Sequence, residues 1–116
     1  MSARRPPVEL PSLRRASRGR SCIRCGSRDG TVVRAHYTGI AQLRLGKGKG
    51  QKPHDFASAD LCHACHHHFD NYETPNDYLR SWEFLILCME TLERDFREGF
   101  LVEGVDPGDP DGQSPI

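Results

Sequence analysis

The chain has 116 residues, 36% of them hydrophobic and 28% charged, and its formal net charge is zero. That length allows one domain, and the apolar supply is thin enough that the domain needs a staple beyond hydrophobic burial. No apolar run approaches the length of a membrane-spanning helix, which excludes an integral membrane protein of that kind. The polar Pro6-Pro7-Val8-Glu9 stands where a secretory signal would be apolar, so a cytoplasmic location is expected.

The zero net charge hides a division. Residues 1–52 carry 13 Lys/Arg against two acids, a balance of +11, and residues 53–116 carry 14 acids against three Arg, a balance of −11. Such a split predicts a basic face that meets an anion, with nucleic acid the foremost candidate. The alternative is that the two halves neutralise each other in surface pairs.

In chain order, residues 1–9 read as a disordered basic tail and residues 10–104 as the domain. Leu10 to Ser17 predicts a short basic helix that leads into Arg18-Gly19-Arg20. Cys22-x-x-Cys25 follows, with Gly26 supplying the residue a tight knuckle needs. Ser27 to Gly30 reads as a turn of the kind that closes a hairpin, and Thr31 to His36 as a short β-branched strand ending in histidine. Residues 37–60 show no clean period. Within them Gly46-Lys47-Gly48-Lys49-Gly50-Gln51-Lys52 reads as a flexible cationic loop whose lysines can neutralise a phosphate chain.

The second knuckle, Cys62-His63-Ala64-Cys65, runs directly into His66-His67-His68-Phe69-Asp70, which predicts a helix with the thiolates in its first turn. Thr74, Pro75 and Asp77 read as the cap of a long helix. Tyr78, Trp82, Leu85, Met89, Leu92 and Phe96 recur at helical steps and predict its buried face, with Trp82 in the core. Because Phe84 to Met89 is apolar nearly all round, this helix is expected to be the main core element or, over residues 75–98, the face of a homodimer; a monomer stays open. It should stop near Gly99, with Phe100 to Val102 a short strand and residues 105–116 a disordered acidic tail.

Two Cys-x-x-Cys hooks in so short a chain point to one structural zinc held by Cys22, Cys25, Cys62 and Cys65. A redox dithiol lacks its surrounding pattern, and disulfides lack the secretory context. Cys88 reads as a buried small hydrophobe. His66 and Asp70 share one helix face at i and i+4, and Asp55 lies in the loop before them. Imidazole with carboxylate suits a second divalent ion, Mg²⁺ or Mn²⁺. His63, His67 and His68 read as solvated surface.

The run Cys22-x-x-Cys25, Val33-Arg34-Ala35-His36, Lys52-Pro53-x-Asp55 and Cys62-x-x-Cys65-His66-x-x-x-Asp70 resembles the zinc-stapled HNH, or ββα-metal, endonucleases. More narrowly it is similar to the small YbcO-like nuclease family of phages and prophages, over roughly residues 10–104. The resemblance implies an α+β, treble-clef-like fold with a long C-terminal packing helix. It also implies metal-dependent hydrolysis of DNA phosphodiester bonds inside a bacterial host, in recombination or DNA processing. His36 falls at the general base and His66 at a ligand of the catalytic ion, which Asp55 or Asp70 would complete, with Asp60 a substitute for Asp55. Alternatively His36 ligates that metal itself. Arg18, Arg20, Lys47, Lys49 and Lys52 would bind flanking phosphates. Ala35 stands where the family usually has a metal-ligating Asp or His, so the alternative is a catalytically inactive zinc-bound DNA-binding or adaptor module.

Overall fold

Pro11 opens the first helix, α1 (Pro11–Ala16), in the computed structural model, which describes residues 6–39, 44, 53–70 and 78–104. A proline at the first helical position costs no hydrogen bond, because that N–H has no helical partner. α1 buries Leu13 and Ala16 and turns Arg14 and Arg15 outward at its end. Two strands follow, β1 (Val33–His36) and β2 (Ser58–Leu61), then α2 (His63–Asp70) and the long α3 (Tyr78–Arg97). The strands pair antiparallel, with Val33 opposite Leu61, Arg34 opposite Asp60, Ala35 opposite Ala59 and His36 opposite Ser58. The architecture is α+β. No helix among the described residues is long and apolar enough to cross a membrane.

The core gathers Ala35, Ala59, Leu61, Phe69, Phe84 and Cys88. Phe69 and Phe84 stack with ring centroids 4.6 Å apart, and Tyr37 leans on Phe84 at 5.3 Å. These contacts join β1, α2 and α3 into one unit.

Several expectations change. β2 lies in a stretch that shows no period, because all four of its residues are buried and no alternation marks them. The turn at Asp29-Gly30 forms, with Asp29 accepting from the Thr31 amide at 2.9 Å, but it joins the first knuckle to β1 and closes no hairpin. Residues 100–102 form no strand. They follow a helix cap in which Gly99, at φ 83, donates to Phe96 O and Phe100 donates to Asp95 O. That pair of bonds is a Schellman closure, and it ends α3 where the glycine was expected to end it.

The largest correction concerns α3. Its buried residues are Ser81, Phe84, Leu87, Cys88, Thr91 and Asp95. Trp82 is 63% exposed, and Tyr78, Met89 and Phe96 are exposed with it. The expected face pointed toward the stripe with the most large apolar side chains. The packed face carries Ser81, Thr91 and Asp95, polar residues that a hydrophobic pattern assigns to solvent. Their inward turn is possible because buried arginines meet Asp95. The expected cap at residues 74–77, the loop over residues 45–52 and the tail from residue 105 lie outside the described residues.

The N-terminal segment also departs from expectation. Residues 6–9 were assigned to a disordered tail, yet Val8 is hydrogen-bonded in both directions. Its amide donates to His54 Nδ1 at 2.8 Å, and its carbonyl accepts from the Asp55 amide at 2.8 Å.

Candidate functional site

The first knuckle is a closed turn. The Cys22 amide donates to Ser27 O at 2.8 Å, and the Gly26 amide donates to Cys22 O at 2.9 Å. Gly26 sits at φ 80, a left-handed conformation that a residue with a Cβ adopts only with strain. The Ile23 amide donates to Asp60 O at 2.8 Å and fastens the knuckle to β2. The second knuckle straddles the start of α2, with Cys62 just before the helix and Cys65 in its first turn. The His63 amide donates to the Thr31 hydroxyl at 2.8 Å, which ties this end to the other turn.

Both knuckles thereby deliver their sulfurs to one point. The four Sγ atoms lie within 4.8 Å of one another, and no other group of three or more metal-ligating side chains forms among the described residues. Zinc–sulfur bonds of about 2.3 Å place tetrahedral sulfurs roughly 3.8 Å apart. Cys25 and Cys62 are 3.7 Å apart, so the donor set can hold a metal such as zinc. Cys22, Cys62 and Cys65 are buried and Cys25 is exposed.

The thiols are unequal. Burial alone raises the Cys22 pKa, but backbone N–H groups of Cys62, Cys25 and Arg24 outweigh it and bring the thiol to about 7. Burial pushes Cys65 up to about 12. Arg24 sits between the cysteines of the first knuckle and donates to Cys65 Sγ at 3.6 Å, while its Nε holds Glu83 at 2.9 Å. A guanidinium there offsets the charge that four thiolates would concentrate. Sequence reading missed Arg24, although its place inside the Cys-x-x-Cys loop was a usable signal. Cys88 is buried apart from this cluster, and burial pushes its thiol up to about 12.

At the end of β1, His36 Nε2 lies 3.0 Å from Asp55 Oδ1. Burial works against the Asp55 carboxylate, but bonds from His36 and the Leu10 amide, with the nearby Arg14 charge, hold its pKa below the usual carboxylate value. An ionised carboxylate only accepts, so Nε2–H is the donor and Nδ1 becomes the accepting nitrogen of the neutral ring. Asp55 Oδ2 is also taken: it accepts from the Leu10 amide at 2.6 Å and lies 3.4 Å from Arg14 Nε. Asp55 is therefore the hydrogen-bond partner of His36, with both of its carboxylate oxygens engaged. His54, to which no role was given, is buried and holds the segment that covers Asp55.

His66 Nε2 and Asp70 Oδ2 are 3.2 Å apart on the exposed side of α2. His36, Asp55, His66 and Asp70 form no group of three or more that could hold a metal ion. The expected second metal cluster resolves into two pairs, since burial fixes Asp55 under the N-terminal segment. Asp60, the runner-up ligand, is fully buried among Arg20, Arg94 and Ser17.

Compared with known proteins, the chain matches no family model, no curated protein and no solved structure.

The basic half of the chain is spent partly inside the molecule. Arg20 was expected to bind phosphate. It is instead buried, with its guanidinium on Asp60 at 3.0 Å, Asp95 at 2.8 Å and Glu98 at 2.9 Å. Arg34 is bidentate on Asp95 at 2.7 and 3.0 Å. Arg14 and Arg24 also pair with acids from the second half. Much of the charge division is therefore internal neutralisation. Arg18 remains exposed, beside an open cleft of about 180 Å³ that Gly19, Arg20, Arg28, Gly30 and Val32 also line. Arg28 is exposed too and was not singled out from the sequence. Lys47, Lys49 and Lys52 lie outside the described residues.

Proposed function

We propose that this chain is a metal-dependent endonuclease of the HNH type that hydrolyses DNA phosphodiester bonds, with His36 as its general base. The observation that carries the reading is the His36–Asp55 pair at 3.0 Å, at the end of β1 in a β1–β2–α2 unit whose helix begins at the cysteine cluster. Asp55 holds the imidazole in one tautomer and leaves Nδ1 to take a proton from water, and the positive charge that follows is balanced by the carboxylate. Zinc at the four cysteines fixes the start of α2, and with it His66. His66 and Asp70 would hold a catalytic divalent ion through two donors, a number that suits Mg²⁺ when substrate phosphate and water complete its shell. When bound, that ion supplies charge stabilisation at the phosphorus and at the leaving oxygen. Arg18 and Arg28 offer cations for the flanking phosphates, and the Lys47/Lys49/Lys52 loop would add to them. The phage or prophage setting rests on the resemblance alone.

A second reading is favoured by one observation. Ala35 is buried, and among the described residues no third metal-ligating side chain joins His66 and Asp70. That arrangement also fits an inactive zinc-bound DNA-binding module. A plasmid-nicking assay with Mg²⁺, Mn²⁺ and EDTA separates the two. His36→Ala is expected to lose roughly 10²- to 10⁴-fold in rate, the usual contribution of a positioned base, while DNA affinity and zinc content stay unchanged. Full activity in His36→Ala would refute the mechanism. A wild type inactive in every metal, yet binding DNA, establishes the inactive module.

A further inference from the structure

The outward face of α3 carries an apolar stripe that the described residues leave exposed. Tyr78, Leu79, Trp82, Ile86, Met89 and Phe96 are between 45% and 84% exposed. At 100° per residue they fall in one arc, centred about 150° from the arc of buried side chains. Leu79, Trp82, Ile86 and Met89 follow steps of three, four and three, the spacing of a helix–helix seam. α3 thus carries apolar side chains on two opposite sides, Phe84, Leu87 and Cys88 beside polar residues on the packed side and the exposed stripe on the other.

We propose that this stripe is the interface of a closed homodimer, in which α3 packs against α3 of a second copy. Three features select a second copy. Large apolar side chains offer roughly 150–250 Å² each, so the exposed fractions here amount to about 700 Å². Specific stable interfaces bury about 1,200–2,000 Å² in total, roughly 600–1,000 Å² per partner, so two such stripes reach the lower part of that range when fully covered. The charges on this face are mostly acidic: Glu90 flanks the stripe, and Glu93 lies in its arc between Met89 and Phe96, paired to Arg97 at 2.8 Å. Those charges disfavour a nucleic acid or an anionic membrane as the occupant. Finally, the unbroken apolar part of the stripe runs along the helix from Tyr78 to Met89, so a two-fold axis across it superposes apolar on apolar and sets the Glu93–Arg97 pair toward its end. The His36–Asp55 pair lies on another element, and the dimer does not depend on the nuclease reading.

Trp82 is the single tryptophan of the chain, so its emission reports this face directly. The test combines sedimentation equilibrium with tryptophan fluorescence on the full chain over a hundredfold range of concentration. The expected result is a dimer mass at the upper end, with emission moving to the blue as dimer forms. Met89→Glu should shift dissociation at least tenfold toward monomer, with unchanged helix content and zinc content. Should Met89→Glu disturb folding, Leu79→Lys at the far end of the stripe makes the same test. A monomer at every concentration overturns the proposal. So does a blue-shifted, concentration-independent emission from a monomer, which would mean that the chain covers its own stripe. Mass growing beyond two copies overturns the closed dimer.

Discussion

Stripping the metal with a strong chelator is expected to unfold the domain. Structural zinc at such sites contributes on the order of 10 kcal/mol, and a domain of this size has roughly 5–15 kcal/mol of stability in total. The geometry explains why little would remain. The two knuckles hold residues 22–25 against residues 62–65, and the bonds from Ile23 to Asp60 and from His63 to Thr31 depend on that closure. Circular dichroism should show a cooperative loss of helix on chelation and recovery on adding Zn²⁺, with one zinc per chain by elemental analysis. Cys62→Ser should behave like the chelated protein, whereas Cys88→Ala, away from the cluster, should keep its metal. A folded, metal-free wild type would sink the claim. The pH dependence follows from the thiols. Cys65 is pushed up to about 12, and Cys25 is raised because the lowering bond from the Ser27 amide is outweighed by the Cys22 and Cys62 thiols together with burial, so both must release a proton to bind. Protons therefore compete with metal, and affinity should fall by about 100-fold or more for each unit of acidification below neutrality.

The four clustered cysteines were legible because their constraint is local: two residues between cysteines let both sulfurs face one point, and Gly26 marks the turn of the first pair. β1 was legible from its branched residues and α2 from its position after the second knuckle. β2 was not, because Ser58 and Asp60 are buried polar residues whose partners come from far along the chain. Ser58 accepts from Arg34 Nε at 2.7 Å, and Asp60 accepts from Arg20 and Arg94, each at 3.0 Å. The same cause hid the packed face of α3. His36 was legible as a site residue, but the role of Asp55 was not. That role depends on Leu10 and Arg14, which approach it from more than forty positions away. Hydrophobic periodicity locates elements whose burial is apolar. It misplaces elements whose burial is ionic.

That ionic burial makes Asp95→Ala the most damaging single substitution expected outside the metal ligands. Asp95 is fully buried and binds two guanidinium groups, Arg34 through two bonds and Arg20 through one. Asp60 and Glu98 supply the other carboxylates, and Arg94 the third guanidinium. Three positive and three negative groups thus balance between the segment after α1, β1, β2 and the end of α3. Removing Asp95 leaves Arg34, itself almost wholly buried, without its bidentate partner. The cost of an orphaned buried charge is about 3–5 kcal/mol, a large part of the total. Glu93→Ala is the natural comparison. Its pair with Arg97 is of similar length, 2.8 Å, but both side chains are exposed, so the loss should be about 0–1 kcal/mol. Urea unfolding of the zinc-loaded protein at fixed concentration measures both. Arg34→Ala combined with Asp95→Ala should cost less than the two losses added, by roughly 0.5–3 kcal/mol, because each single change already breaks the shared contact. Equal small losses for Asp95→Ala and Glu93→Ala would mean that this cluster is solvated in solution. The apolar stripe of α3 would then be the better candidate for the face packed on the sheet.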